Sequence, residues 1–372
     1  MMYLPNELRS RAASLPALLA LALGCSKTEP APQPAASSSP ATAPTAAPKA
    51  ALPALPALPA PPVAFGPVKA PANNPTTPAK VALGKKLFFE PALSVDGSRS
   101  CYSCHQNEDG TGGHEPLAIG AKNVALSRHA PTLWNVGYLP HLYWDGRADS
   151  LEAQAKAAWA GANMGVGEEN LAAKASEIGA RPEYKAAFDA AFPGYGATAT
   201  TVVQAISAYE RTLFCADTAY DRFAAGESQA LNADQKAGME LFISKAACHG
   251  CHTPPFFSDA YLVEDGAYHN VGVGIEGKDP SAVDVGRQKI TNSPTDWAAF
   301  KTPSLRNVTR SAPYLHDGSK SKLEDQVRFM AKGGFKNPNL DPKMLDKQLS
   351  DGEISQLMAF LGALECQGRL VP

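Results

Sequence analysis

The hydrophobic pattern of the chain is helical. Between positions 201 and 213, Val202, Ile206 and Tyr209 fall on one face of a helix, and a similar stripe occupies positions 80–89. No stretch alternates apolar and polar residues between hairpin turns, as half-buried strands do. The pattern therefore predicts an all-α fold of short helices joined by long irregular segments.

The last helix is the most clearly marked element. Ser350 followed by Glu353 forms a capping box, which satisfies free N–H groups at the start of a helix. Ile354, Leu357 and Leu361 then form an apolar stripe. The sequence predicts a buried helix that begins after Ser350.

An approximate repeat divides the chain. Residues 83–88 read Leu-Gly-Lys-Lys-Leu-Phe, and residues 237–242 read Ala-Gly-Met-Glu-Leu-Phe. Each stretch is a glycine-containing helix that ends in Leu-Phe shortly before a C-x-x-C-H pentapeptide. The repeat predicts two tandem domains of one type, an N-terminal domain over residues 76–227 and a C-terminal domain over residues 228–372.

Two pentapeptides, Cys101–His105 and Cys248–His252, carry the strongest chemical signal. C-x-x-C-H is the attachment signature of c-type haem, because two thiols on one turn can add to the vinyl groups of one porphyrin while the adjacent histidine binds its iron. Two thiol pairs could instead hold a structural zinc or act as redox dithiols, but neither explains the histidine after each second cysteine. The predicted attachment residues and iron ligands are Cys101, Cys104, His105, Cys248, Cys251 and His252. We therefore predict two cytochrome c-like domains with one covalently bound haem each.

The N-terminus is typical of an export signal. Residues 1–25 contain Arg9 and Arg11, a short apolar run, and Leu-Ala-Leu-Gly before Cys25, similar to the lipobox of bacterial lipoproteins. The apolar run is too short to span a bilayer as a mature helix. The segment predicts a protein of the periplasm or cell envelope that meets the membrane only through a lipid on Cys25. A plain secretory peptide and a start assigned too early are the alternatives.

Residues 26–75 are rich in proline, alanine, serine and threonine and lack periodic apolar positions. This composition predicts a disordered linker of polyproline character. The 372-residue chain has a net charge of −2, which gives no reason to expect a nucleic-acid partner.

Two of the seven cysteines, Cys215 and Cys366, are left over once the lipid and haem positions are assigned. In an oxidising compartment they could form a disulfide. Two free buried thiols are the alternative.

The chain from about Leu83 to Leu364 resembles the bacterial di-haem cytochrome c peroxidases and the MauG-type enzymes related to them. Besides the two pentapeptides, the motifs that carry the likeness lie at positions 87–89, 130–135, 143–147, 210–213, 300–307 and 312–318. They extend over essentially the whole predicted globular part.

The resemblance implies a division of labour between two haems. The haem on His105 would reduce hydrogen peroxide, and the haem on His252 would relay electrons from a small cytochrome c or a cupredoxin. Met330 matches the methionine that ligates the relay haem of the peroxidases, where MauG has tyrosine, and Trp144 matches the tryptophan between the haems. Packing is the plainer alternative for both side chains. His316 matches a histidine expected to hydrogen bond near the relay haem.

One departure from the family concerns the cap of the first haem. The histidine that closes the resting iron in the peroxidases falls on Ala121 here. Either this iron stays open, as in MauG, or His114 of the glycine-rich loop at 109–114 replaces the cap. His114 therefore joins Gln154 and Trp144 as a candidate catalytic residue, with a solvated loop histidine as the alternative.

A second departure concerns proton transfer. Gln154 matches the distal glutamine of the family, but the distal glutamate falls on Asn163 or Met164. Neither side chain can move a proton between the peroxide oxygens as a carboxylate does. Glu168 and Glu169 are close in sequence, and a solvated loop is the simpler interpretation for them.

A third departure concerns calcium, which the family holds between its domains. The carbonyls of Ser311 and Pro313 match the family, but His129 replaces the asparagine ligand. Imidazole is a poor ligand for a cation that prefers oxygen. Calcium is therefore possible here, but the residue change argues against it.

Three functions follow for testing. The leading hypothesis is a peroxidase that reduces hydrogen peroxide with electrons from a small donor protein. A MauG-like oxidase of a partner protein is the alternative that suits Ala121, whereas Met330 argues against it. A non-enzymatic di-haem electron carrier is the third, and it would leave both irons closed to added ligands.

Overall fold

The computed structural model describes residues 55–265 and 267–370, and helices dominate them. The α-helices are α1 Pro78–Phe88, α2 Leu151–Ala160, α3 Leu171–Gly179, α4 Pro182–Ala191, α5 Ala199–Glu210, α6 Ala219–Ala224, α7 Ala233–Ile243, α8 Gln288–Thr291, α9 Leu323–Ala331 and α10 Asp351–Gly362. Short 3₁₀ turns and irregular chain connect them. The prediction of a helical protein with much irregular chain is confirmed.

The described residues contain one small sheet. Strand β1, Tyr268–His269, pairs antiparallel with β2, Phe300–Lys301, so that Tyr268 lies opposite Lys301. These strands are too short for the alternation that a sequence search detects. Their importance is positional, because β2 lies next to the candidate site.

The first apolar core lies among α1 to α5. Helix α1 packs mainly on α5 and also on α4, while α2 and α3 pack on α5. Leu83, Phe188 and Ile206 are among the buried side chains that join these helices. The apolar stripe predicted near position 206 is therefore the face that holds the N-terminal helices together.

The second apolar core lies around α7 and α10. Phe242 of α7 and Leu357 and Phe360 of α10 are almost completely buried there. Ser350 caps α10 through the predicted capping box with Glu353. Helix α6 also contributes to this core, although it precedes the boundary predicted near residue 227. The division into two domains remains a prediction.

A disulfide joins Cys215, just after α5, to Cys366, just after α10. Their Cα atoms lie 5.3 Å apart, within the usual range for a disulfide. The predicted pairing is confirmed, and it ties the C-terminal segment to the end of the N-terminal helix group.

The linker prediction is wrong for its last residues. The Phe65 ring packs at 4.7 Å on Phe256 and at 5.7 Å on Tyr138, measured between ring centroids. Asn74 is fully buried, and its side chain binds the ammonium of Lys80. The Phe65 ring and the buried Asn74 amide thus attach this segment to the rest of the structure. A prediction from average composition does not take such single residues into account.

Residues 1–54 lie outside the described part of the chain, and with them the predicted signal, the lipobox cysteine Cys25 and most of the linker. Across residues 55–265 and 267–370, no helix is long and apolar enough to cross a membrane.

Candidate functional site

The first pentapeptide forms a tight turn that presents its histidine. Cys101–Ser103 is a 3₁₀ turn, and the Ser100 backbone N–H donates to the Ser103 hydroxyl at 2.9 Å. The Nδ1 atom of His105 lies 3.0 Å from the carbonyl oxygen of Thr111. Nδ1 therefore carries the proton, and the lone pair of Nε2 is free to bind a metal.

The second pentapeptide repeats this arrangement. Cys248–Gly250 is again a 3₁₀ turn, and Nδ1 of His252 lies 3.1 Å from the carbonyl oxygen of Phe257. A histidine that binds a metal usually donates its other ring N–H to a group such as a backbone carbonyl, which fixes the orientation of the ring. The same geometry at both motifs was not dictated by the five-residue pattern, because the carbonyls come from residues beyond it.

Burial sets the protonation of both imidazoles. Loss of hydration lowers the pKa of His105 to about 4 and also lowers the pKa of His252. Both rings are therefore neutral near pH 7, which is the form that binds iron. Burial raises the pKa of the Cys248 thiol to about 11, so the free side chain is a neutral thiol near pH 7.

The zinc alternative finds no support in the described residues. The four motif cysteines are unpaired thiols. Within residues 55–265 and 267–370, the group of possible metal ligands that converges is Cys251, Asp259 and His269, and it draws on one motif alone. A shared tetrahedral site would require both thiol pairs to meet.

An apolar cavity of about 250 Å³ adjoins the second motif. Its wall includes Cys248, Cys251, His252 and, from α9, Met330. An apolar slot with two thiols on one side, a free imidazole nitrogen and a thioether within the same wall fits a c-type haem. The residues present therefore suit the group that the motif predicts.

Trp144 lies in the wall of the same cavity and is fixed from two directions. Its indole N–H donates to the carbonyl of His129 at 2.8 Å. Its own carbonyl accepts from the backbone N–H of Lys301 at 2.7 Å. The tryptophan is thus held by the N-terminal half through its ring and by β2 through its backbone.

An ion network next to Trp144 reinforces this position. Arg128 bonds to Asp145 at 2.7 Å and to Asp284 at 2.7 Å, and Arg147 bonds to Asp145 at 2.9 Å. Only 3 % of the Asp145 side chain and 13 % of the Arg128 side chain are exposed, so solvent does little to weaken the bond between these two residues. The guanidinium of Arg128 joins the residue after Trp144 to the segment that precedes α8.

Comparison with known proteins agrees with this geometry. A family model described as di-haem cytochrome c peroxidase matches residues 78–229. The methylamine utilization protein MauG of Methylorubrum extorquens is 37 % identical over 305 residues, which are 81 % of this chain and 82 % of that protein. The chain belongs to the di-haem cytochrome c peroxidase family.

Other members of the family are almost as similar. A cytochrome-c peroxidase of Denitromonas iodatirespirans is 35 % identical over 328 residues, 82 % of this chain and 86 % of that protein. A crystal structure of a MauG-like protein associated with microbial copper homeostasis superposes with a TM-score of 0.77 at 30 % identity, covering 83 % of this chain and 96 % of that one. The family's haem iron cofactors are accordingly expected here.

The segment that carries the predicted distal positions lies against the Ala121 loop. The backbone N–H of Ala121 donates to the carbonyl of Asn163 at 3.0 Å, and Ala121 is buried. Met164 is also buried, in the core shared with α2. Ala121 and the position of the missing glutamate are thus neighbours. Gln154 is half-buried on α2.

The remaining candidates near the first motif face solvent. The His114 side chain is 75 % exposed, and its Nδ1 lies 3.4 Å from an Asp109 oxygen. Glu168 is 65 % exposed and pairs with Lys156. The exposed position of His114 agrees with the alternative of a solvated loop histidine, and its role as a ligand stays a prediction.

The residues named for calcium do lie together. His129, Ser311 and Pro313 all line the cavity. The Nδ1 of His129 donates to the carbonyl of Glu115 at 2.9 Å, and burial lowers the pKa of this imidazole. His129 is therefore a neutral side chain that is already bonded within the chain.

The tertiary partners of two histidines, His269 and His316, were not predicted from the sequence. His269 lies between Asp259, at 2.9 Å, and Asp341, at 2.5 Å. Burial opposes its charge, but interactions with Asp259, Cys251 and Asp341 outweigh it and raise its pKa to about 10. His316 stacks on Phe300, with 3.7 Å between ring centroids. Since these partners are distant in sequence, no local pattern announces them.

Proposed function

We propose that this protein is a di-haem peroxidase of the cell envelope. The haem bound through the first motif would reduce hydrogen peroxide to water, and the haem bound through the second would relay electrons from a small cytochrome c or a cupredoxin. The observation that carries the proposal is the matched orientation of His105 and His252, each with Nδ1 on a backbone carbonyl, which leaves the lone pair on Nε2. Membership of the family supports the same reaction.

Each haem would supply an iron that exchanges electrons and, where one axial position is open, takes up a ligand such as peroxide. The chain's part is to hold that group. Thr111 and Phe257 would keep the two imidazoles in the tautomer that binds iron. Met330, in the cavity wall with His252, would help to hold the iron of the relay haem.

Trp144 would carry electrons between the two halves. Its ring and backbone are both anchored, so its position does not depend on a flexible loop. A fixed aromatic ring in the cavity wall could divide electron transfer between the two motifs into two shorter steps.

The distal carboxylate that transfers a proton in the peroxidases of the family is missing at the matching position of this chain. A distal general acid or base is typically worth about 10²–10⁴-fold in rate. Gln154 would orient peroxide, but Asn163 and the buried Met164 cannot take its proton. We therefore expect turnover that is slow for the family.

The same observation favours a second candidate, the oxidation of a partner protein. An enzyme that withdraws electrons at a distance through Trp144 makes fewer demands on rapid turnover at the first haem. The similarity to a MauG-like protein supports this candidate. Met330 at the tyrosine position of MauG counts against it.

The remaining features belong to the same proposal. Residues 76–227 and 228–372 would each form one cytochrome c-like domain, and residues 1–25 would direct export with lipid attachment at Cys25. His114 would act on the first haem only if its loop turned inward. Calcium would need the carbonyls of Ser311 and Pro313 without help from an asparagine.

The test uses holoprotein matured in a haem-attaching host, with two haems per chain verified by pyridine haemochrome. Oxidation of a reduced small cytochrome c is followed after addition of hydrogen peroxide. We expect slow but measurable turnover, and Met164→Glu should increase it by about 10²-fold if the lost carboxylate limits the rate. The proposed peroxidase activity would be contradicted if neither the wild type nor the variant turned over, whether the protein was oxidised or half-reduced at the start.

Electron paramagnetic resonance separates the other candidates. An electron carrier should show two low-spin haems and no change on addition of cyanide. Peroxide-dependent change in the mass of a co-purified partner, without turnover of the donor, would favour the partner oxidase.

A further inference from the structure

The cavity next to the second motif contains a buried lysine whose ammonium has no hydrogen-bond partner in the part of the chain that the structure describes. Lys301 is 8 % exposed and lines the cavity together with His252 and Met330. Among residues 55–265 and 267–370, its ammonium makes no ion pair or hydrogen bond with a side chain. Burial alone lowers its pKa, to about 8. A buried ammonium without a partner is costly, so a negatively charged group bound in the cavity would stabilise it.

The charges of the cavity wall indicate the chemistry of that ligand. Lys301, Lys343 and Lys347 all line it, whereas the acidic residue in the lining, Asp341, is bonded to His269. No carboxylate in the described part of this wall is free to pair with Lys301. The wall is otherwise mainly apolar, so a flat apolar ligand with carboxylate groups matches it.

The orientation of a haem in this cavity is set by the thiols. Cys248 and Cys251 would bind the vinyl edge of the porphyrin, and the two propionates leave from the far edge. Lys343 lies at the thiol end, where its ammonium donates to the carbonyl of Gly250 at 2.9 Å. Lys301 belongs to the wall shared with Trp144, through the backbone bond between the two residues.

We infer that Lys301 binds a propionate carboxylate of the haem held by the second motif. The inference rests on the haem assignment of the proposed function, but not on peroxidase activity. Lys301 is a positioning residue in this scheme: it neutralises the propionate on the Trp144 side and keeps that edge of the haem next to the tryptophan.

The test is a redox titration of holoprotein, followed optically at the second haem without peroxide or donor. Removing the ammonium in Lys301→Met leaves the propionate charge uncompensated, which favours the ferric state. We expect the ratio of oxidised to reduced haem at a fixed potential to rise at least tenfold, which is a midpoint about 59 mV lower for a one-electron couple. Lys301→Arg should stay within about twofold of wild type, because its charge is kept.

Lys289→Met is the matched control, since Lys289 is an exposed lysine of α8. A Lys301→Met midpoint equal to that of the control, in protein with two attached haems, would overturn the inference. Loss of the low-spin signal of the second haem on the same substitution would also overturn it, because Lys301 would then be an axial ligand.

A measurement on the unmodified holoprotein covers the case in which the variants do not fold. Resonance Raman spectroscopy detects the bending bands of the propionates. We expect one band to shift in deuterium oxide because an N–H group donates to that carboxylate. Bands that do not move would refute the inference, and loss of turnover with peroxide would leave it unaffected.

Discussion

The glycines of the internal repeat provide a stringent test of the packing. An ideal Cβ on Gly84 would stand 2.5 Å from the carbonyl carbon of Ala205 and 3.0 Å from the Cβ of Tyr209. On Gly238 it would stand 2.6 Å from the carbonyl carbon of Gln356 and 2.8 Å from the Cβ of Phe360. Each glycine thus lets one helix approach the backbone of another, α1 against α5 and α7 against α10. We expect Gly84→Ala and Gly238→Ala to destabilise the protein.

The magnitude follows from the distances. Carbon atoms pack at about 3.5–4.0 Å, so each helix pair would have to separate by about 1 Å. Overpacking of this kind costs about 1–3 kcal/mol, and the upper end applies because backbone atoms cannot turn aside. The better helix propensity of alanine returns about 1 kcal/mol. A net loss of about 2 kcal/mol should lower the melting temperature by roughly 4–8 °C.

The assay is thermal unfolding of each holoprotein by circular dichroism, with Gly362→Ala as control. Gly362 also lies in a helix, α10, but no atom comes within 4 Å of its ideal Cβ. The control should gain up to about 1 kcal/mol from propensity alone. If Gly84→Ala and Gly238→Ala raise the melting temperature as Gly362→Ala does, the proposed close approach of the helices is wrong.

This repeat illustrates how far the sequence could lead. The glycine before Leu-Phe was visible twice, and it predicted two similar helices before the two haem motifs. Its physical role was not visible, because Ala205 and Gln356 are remote in sequence. Local signals such as the Ser350 capping box identified helix ends directly, since all their atoms lie within one turn.

The site shows the same limit. The pentapeptides predicted which residues would bind the haems, and counting the cysteines left Cys215 and Cys366 to pair. The bond from Trp144 to His129 and the bonds from His269 to two aspartates join segments that are remote in sequence and share no pattern. The burial of Lys301 also results from tertiary contacts. The packing of Phe65 on Phe256 was not predicted for a related reason, because a single aromatic residue hardly changes the composition of a segment rich in proline and alanine.

Three further predictions address the disulfide, a buried acid and an axial ligand. Cys366→Ser opens a loop of 151 residues, and the chain-entropy model gives a loss of about 5 kcal/mol in the free energy of unfolding. Unfolding in guanidinium should therefore have a clearly lower midpoint, and an unchanged midpoint would contradict this prediction. Burial raises the pKa of Glu210 from 4.5 to about 8, so the stability of the wild type should fall as pH rises from about 4.5 to 8. Glu210→Gln should remove this contribution, so that the loss of unfolding free energy between pH 5 and pH 8, measured by denaturant unfolding, becomes smaller. If Met330 binds the iron as proposed, Met330→Tyr would replace a thioether ligand with an oxygen ligand and should lower the midpoint potential of the second haem. An equal potential would mean that Met330 only packs.

The contacts around Trp144 bear on how an electron could cross the molecule. The indole N–H donates to the carbonyl of His129, and a carbonyl can accept a hydrogen bond but cannot take the proton. In the role proposed for Trp144, an electron would therefore leave this ring without a coupled proton transfer, and the cation left behind would be stabilised by the dipole it faces. The adjacent Asp145 is tied through Arg128 to Asp284, so the same short stretch joins the two halves mechanically. Breaking one partner of such a buried network is strongly destabilising. A route for electrons built on this joint keeps its geometry for as long as the two halves stay together, and a substitution in the ion network should therefore disturb stability and electron transfer together.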